Sequence, residues 1–110
     1  MTAAGGFHYD LENSEDKFSN RVTKINCHGR LMSDTAGQLK DVVKQRIPEG
    51  GRILIDLADV EHLDSSGLGT LVGLKVSAVS AGYCTLELVN LSPRIKDLLR
   101  VTKLTQLFAS

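Results

Sequence analysis

Residues Ile53 to Gly69 read I-L-I-D-L-A-D-V-E-H-L-D-S-S-G-L-G, and this stretch decides the fold. Ile53, Leu54, Ile55 and Leu57 form a nearly continuous apolar run. Such a run predicts a strand buried on both faces, hence a central and parallel one. It stops at a short acidic segment, and a helix is predicted from about Ser66 to Ala81, where Gly82 ends it. Asp64, Ser65 and Ser66 therefore stand between the carboxyl end of a central strand and the amino end of a helix. In open α/β sheets ligands and partners usually meet the chain at that place.

Upstream, Phe7, Tyr9 and Leu11 alternate with His8, Asp10 and Glu12, the period of a strand with one buried face. The polar run Asn13 to Lys17 is expected to turn the chain. A second strand is expected over Phe18 to Cys27, antiparallel to the first, with Thr23, Ile25 and Cys27 on one face. Thr35 and Gln38 have the spacing of a capping box, and Ala36, Leu39, Val42, Val43 and Ile47 recur at helical spacing. Pro48-Glu49-Gly50-Gly51 ends that helix by removing a donor and admitting positive φ. Downstream, Cys84 to Val89 reads as a strand, Ser92-Pro93 as the start of a third helix with Ile95, Leu98 and Leu99 inward, and Val101 to Phe108 as a short edge strand. Strand, strand, helix, strand, helix, strand, helix builds one sheet, parallel in its middle and antiparallel at one edge.

At 110 residues, with 42% apolar and 24% charged, the chain is sized for one globular domain with a core. Thirteen Lys and Arg balance thirteen Asp and Glu, which gives no general attraction to nucleic acid or anionic lipid. Cys27 and Cys84 are too few and too far apart for a disulfide framework or a metal cluster, and read as reduced core thiols. Met1 to Gly6, expected to be flexible, lacks the pattern of a secretory signal, and no apolar run reaches the ~18 residues of a spanning helix. The expectation is a cytoplasmic protein, monomeric by default.

Enzymatic readings find little support. Asp64-Ser65-Ser66-Gly67 is not the G-x-S-x-G turn of a hydrolase, and nothing orients His62 as its base. No G-x-x-x-x-G-K-[ST] loop is present, His8, His28 and His62 are scattered, and no cofactor or metal is called for. A serine phosphate at the predicted helix start would instead face free backbone N–H groups and the positive end of the helix dipole, worth roughly 0.3–1 kcal/mol when exposed. It would add a charge of about −1.5 to −2 next to Asp59, Glu61 and Asp64, and so alter recognition strongly. The helix that follows carries apolar residues over an arc of about 220°, wider than one core face needs. Either part of it docks a partner or it lies between sheet and neighbouring helix. Ser66, Gly69, Thr70, Gly73, Ser77 and Ser80 make its remaining side small. The cations Arg94, Lys96, Arg100 and Lys103 read as a solvated face.

The run I-D-L-A-D-V-E-H-L-D-S-S-G-L-G-T-L, preceded by G-R-L-M-S-D-T-A and followed by L-S-P-R-I-K-D-L-L-R-V-T-K-L-T-Q-L-F, closely resembles the bacterial anti-sigma factor antagonists of the STAS family. The resemblance spans about Phe7 to Phe108 and is most specific at D-S-S-G-L-G. It implies a four- to five-stranded mixed sheet with helices mainly on one face. It also implies a non-enzymatic partner switch. The unphosphorylated antagonist binds an anti-sigma factor that is also a serine kinase and so releases a sigma factor; phosphorylation at Ser65 weakens the complex, and a serine phosphatase resets it. Asp64, Ser66, Gly67, Leu68 and Gly69 would shape the kinase-facing surface. Met32 stands where members commonly carry an acidic residue. Alternatives are a STAS subunit regulating a transporter or signalling assembly, a nucleotide-binding enzyme, and a receiver-like domain phosphorylated on Asp56 or Asp59.

Overall fold

The computed structural model describes residues 6–109. Its order is β1 (Phe7–Glu15), β2 (Arg21–Leu31), α1 (Ala36–Arg46), a single 3-10 turn (Ile47–Glu49), β3 (Gly51–Leu63), α2 (Ser65–Ala81), β4 (Cys84–Val89), α3 (Pro93–Val101) and α4 (Thr105–Ala109). The four strands lie in the order β1-β2-β3-β4, with β1 antiparallel to β2 and with β2, β3 and β4 parallel. The mixed sheet, parallel in its middle and antiparallel at one edge, thus follows the α/β reading.

The elements differ from expectation where local polarity misled. Asn13, Ser14 and Glu15 do not turn the chain; they pair with Thr23, Val22 and Arg21 and lengthen β1. The turn is later, built by Asp16, whose Oδ1 accepts the N–H groups of Phe18 (2.8 Å) and Asn20 (2.9 Å). Phe18 sits in that turn, 73% exposed, not in β2. The expected capping box at Thr35 is absent. Thr35 Oγ1 donates to the Arg30 carbonyl (2.6 Å) and accepts the Met32 N–H (3.0 Å), so it ties the loop back to β2 and caps nothing. Thr105 to Ala109 is helical, not an edge strand; the Leu104 N–H reaches back to the Leu99 carbonyl (2.8 Å), which turns the chain as α3 ends and leads it into α4. The expected flexibility of residues 1–6 falls outside the described residues except at Gly6, whose carbonyl accepts the Arg30 N–H (3.3 Å).

The core lies on one face of the sheet. Ile25 and Cys27 of β2, Ile53, Ile55 and Leu57 of β3 and Leu86 of β4 meet Leu39 and Val43 of α1, Leu71, Leu74 and Ala78 of α2, and Ile95 and Leu99 of α3. The strict alternation has a consequence for β3: Leu54 and Asp56 point the other way. That face is not covered by helices, so the expectation of burial on both faces fails. It carries a polar network instead. His28 sits between Asp59 (2.6 Å) and Asp10 (3.0 Å), Asn26 donates to Asp10 (2.8 Å) and Glu12 (2.6 Å), and the His8 ring stacks on that of His28. Arg52 pairs with Glu87 (2.9 Å) and Lys24 with Asp56 (3.4 Å). Leu54 stands in register between Lys24 of β2 and Glu87 of β4 and is half-buried.

Cys27 and Cys84 are free and buried, as read. Burial pushes the Cys27 thiol up to about 12. One buried cation was not foreseen: Lys75 of α2 is 6% exposed and donates from Nζ to the carbonyl of Leu86 (2.9 Å). β4 is an edge strand, and this bond ties it to α2.

Candidate functional site

The parallel pairing of β2 and β3 places Leu31 beside Leu63, so both strands end together. The loop that follows β2 (residues 32–35) and the turn that follows β3 therefore meet at one end of the sheet. Asp64 joins them. Its backbone is extended (φ −104°, ψ −175°), which lets the side chain fold over the first turn of α2. Oδ1 accepts the Gly67 N–H (2.9 Å) and Oδ2 accepts the Ser33 N–H (3.2 Å). One carboxylate thus caps α2 and clasps the neighbouring loop. The N-cap of α2 is therefore Asp64.

Gly67 explains how α2 can start so close to the sheet. A Cβ there would stand 2.1 Å from the Leu31 carbonyl oxygen and 2.8 Å from Leu63 Cδ1. Only hydrogen fits, and the helix N-terminus packs directly on the end of β2.

Ser65 and Ser66 are exposed at the first two helical positions. Helix N-termini leave their first N–H groups without intrahelical partners. Here the Gly67 N–H goes to the Asp64 side chain and the Leu68 N–H to the Asp64 carbonyl (2.9 Å). Among the described residues nothing accepts those of Ser65 and Ser66, nor does any hydrogen bond hold the Ser65 hydroxyl. The other expected surface residues divide. Gly69 is exposed, Asp64 is half-buried, Gly67 is buried and Leu68 lies in the core at 8% exposure. Gly67 and Leu68 act on the surface by fixing its shape.

Beside Ser66 runs a polar groove of about 370 Å³ between α1 and α2. Its α2 wall is Ser66, Gly69, Thr70, Gly73 and Ser77, the small side noted in the sequence, and its α1 wall carries Lys40 and Lys44. A Cβ on Gly69 or Gly73 would meet nothing within 4 Å, so the wall is open to a close approach. The two lysines were missed, because their role depends on how α1 packs against α2 and not on their spacing alone. The apolar arc of α2 is partly buried and partly exposed. Leu68, Leu71, Leu74 and Ala78 are buried, while Val76 (51%) and Val79 (62%) are exposed together with Tyr83 (62%).

Met32, at the position often acidic in the resembled family, accepts the Thr35 and Ala36 N–H groups (3.0 and 2.8 Å) through its carbonyl, and its sulfur lies 3.1 Å from Arg30 Nη2. Asp59, expected near the serines, is turned to the open sheet face with His28. There the hydrogen bonds that the ring donates to Asp59 and Asp10 raise the His28 pKa. Burial opposes ionisation of Asp56, but bonds from the Ala58 N–H and the Asn90 amide and the Lys24 ammonium outweigh it, so its carboxyl lies below the usual range. Asp10, Glu12, Asp56 and Asp59 are thus held by Asn26, His28, Lys24 and Asn90, and no group of His, Cys, Asp and Glu among the described residues is arranged to hold a metal ion. His62 is exposed and makes no hydrogen bond to Ser65. No helix of the described residues is long and apolar enough to cross a membrane.

Comparison with known proteins bears on the family and the fold. The family described as "Mlab, STAS domain" matches residues 15–109. No curated protein sequence matches the chain. Among solved structures, an anti-sigma factor antagonist from Mycobacterium paratuberculosis superposes with a TM-score of 0.75 at 21% identity, covering 98% of this chain and 87% of that one. The phosphorylated form of the Bacillus cell fate determinant SpoIIAA gives 0.67 at 20% identity, with 90% and 86% covered. The murine anion transporter Slc26a9 gives 0.68 at 13% identity, and the match covers 92% of this chain but 19% of the transporter.

Proposed function

The chain belongs to the STAS-domain family, and from that premise we propose that it is an anti-sigma factor antagonist switched by phosphorylation of Ser65. In this reading the unphosphorylated protein binds an anti-sigma factor that is also a serine kinase, and a sigma factor is released. The kinase modifies Ser65, the complex dissolves, and a phosphatase restores the first state. The whole of residues 1–110 serves as one non-enzymatic STAS unit, acting in the cytoplasm.

The observation that carries the reading is the exposed, unbonded Ser65 hydroxyl on a helix start already capped by another residue. Since Asp64 supplies the cap, Ser65 is not needed for it and is free for modification. A phosphate there would meet the two open N–H groups and the helix dipole, so the fold tolerates it. A partner seated on Ser66, Gly69 and the groove beside them would have to bury a dianion, which costs several kcal/mol when unpaired. The kinase would therefore let go of its own product.

Incubation of the chain with ATP and the serine kinases of its host, followed by mapping of the modified residue by mass spectrometry, tests the assignment. Phosphate on Ser65 is expected; phosphate solely on Ser66 or on an aspartate would refute it. The likeness to Slc26a9 supports a second reading, a STAS regulator of a transporter. That reading needs no phosphoacceptor, and Ser65→Ala would leave its action unchanged.

A further inference from the structure

Between α3, α4 and the end of β4, at the margin of the core, lies a feature that the switch does not use. β4, the loop after it, α3 and α4 enclose a cavity of about 420 Å³. Its walls are Leu88 and Leu91, Leu99 of α3 and Phe108 of α4, with Thr105 the one uncharged polar side chain. Leu99 is buried at its floor, whereas Leu88, Leu91 and Phe108 are only half-buried. The part they leave uncovered faces a concave space, unlike the stripe of Val76, Val79 and Tyr83.

The mouth is cationic. Lys96 and Arg100 line it, and with Leu99 they occupy one face of α3, at spacings of three and four residues. Lys96 has no carboxylate within ion-pair distance among the described residues. Arg100 is paired only with Asp97 on its own helix, an exposed contact of little worth. Two cations thus line the rim of an apolar space, and no acidic side chain lines it with them. The charge group that reads from the sequence as a solvated face has a second aspect once α4 folds over it.

We propose that this cavity binds a single-chain anionic amphiphile, an alkyl chain of medium length ending in a carboxylate, with the chain against Leu88, Leu91, Leu99 and Phe108 and the head at Lys96 and Arg100. The volume lies at the small end of the range for small-molecule sites, which suits one chain and excludes a two-chain lipid or a partner helix. The head group is set by charge: a cation would meet Lys96 and Arg100, and a neutral head would leave them unanswered. Because the ligand would span α3, α4 and β4, its occupancy would also steady α4.

The test is titration of the full chain with hexanoate, octanoate, decanoate and dodecanoate, followed by calorimetry and by amide shifts in the 15N-labelled protein. Saturable shifts confined to about residues 86–109 are expected. Burial of each methylene is worth about 0.8 kcal/mol, so affinity should rise about fourfold per carbon until the cavity is full. Decyltrimethylammonium should bind at least tenfold more weakly than decanoate, and Lys96→Glu with Arg100→Glu should reverse that preference. Leu91→Trp fills the cavity from a half-buried position and should abolish binding at an unchanged melting temperature. Affinity independent of chain length, equal binding of the two head groups, or sedimentation with phosphatidylglycerol vesicles in place of saturable binding would overturn the proposal. So would concentration-dependent self-association that shifts the same amides without ligand.

Discussion

Replacing Gly67 by alanine opposes two effects whose sizes can be worked out. Alanine favours a helix over glycine by roughly 0.5–1 kcal/mol. At Gly67, however, the new methyl would lie 2.1 Å from the Leu31 carbonyl oxygen, and that oxygen is backbone and cannot swing aside. Overpacking a tight site costs roughly 1–3 kcal/mol, and a clash this close belongs at the upper end. The expected net loss is about 2–2.5 kcal/mol. For a chain of this size that lowers the melting temperature by about 8–20 °C. Gly69 and Gly73 provide the control, since a Cβ on either meets nothing within 4 Å. Gly69→Ala and Gly73→Ala should therefore stabilise by roughly 0.5–1 kcal/mol. Thermal and urea unfolding of the three variants read out opposite signs from the same chemical change on the same helix. A Gly67→Ala protein as stable as the parent would refute the packing of α2 on β2. Destabilisation by Gly69→Ala would refute the open groove.

Three further outcomes follow from the geometry. Asp64→Ala removes a cap and a loop clasp and should cost about 1–2 kcal/mol in urea unfolding, while Asp64→Asn, which keeps one acceptor oxygen and turns its NH2 toward the Ser33 N–H, should recover the cap but not the clasp; equal costs would show that the Asp64 side chain does not cap α2. Cys27, with its pKa pushed up to about 12, holds about one thiolate in ten thousand at pH 8, so a thiol reagent should leave it unlabelled in the native protein and label it in urea. His28 has a raised folded pKa, so the stability it contributes is present below its ordinary value of 6.5 and fades as pH rises through the folded pKa. The melting-temperature gap between the parent and His28→Gln should accordingly be larger at pH 6 than at pH 9, and an equal gap would contradict the Asp59–His28–Asp10 bridge.

The sheet was legible because its signal is periodic. The apolar run of β3 and the helical spacing of Leu39, Val42 and Val43 depend only on residue order, and the structure keeps them. What failed depends on contacts between distant segments. Asn13 to Glu15 look like a turn until β2 pairs with them, and Thr35 looks like a cap until the Arg30 carbonyl competes for its hydroxyl. Leu54 suggests a second buried face, although its neighbours across the sheet are charged. At the candidate site, the exposed pair Ser65 and Ser66 and the cap at Asp64 could be read locally. The clasp to Ser33 and the lysines of α1 could not, since they exist only because β2 and β3 end side by side.

The central claim is that a phosphate on Ser65 leaves the fold intact and destroys an interface. The most direct measurement is the affinity of the matched anti-sigma kinase for the chain before and after stoichiometric phosphorylation, with the melting temperature of each form alongside. The account predicts a loss of at least tenfold in affinity, equivalent to 1.4 kcal/mol or more, with melting temperatures that agree within a few degrees. Equal affinity of the two forms, with phosphate shown to be on Ser65, would contradict it.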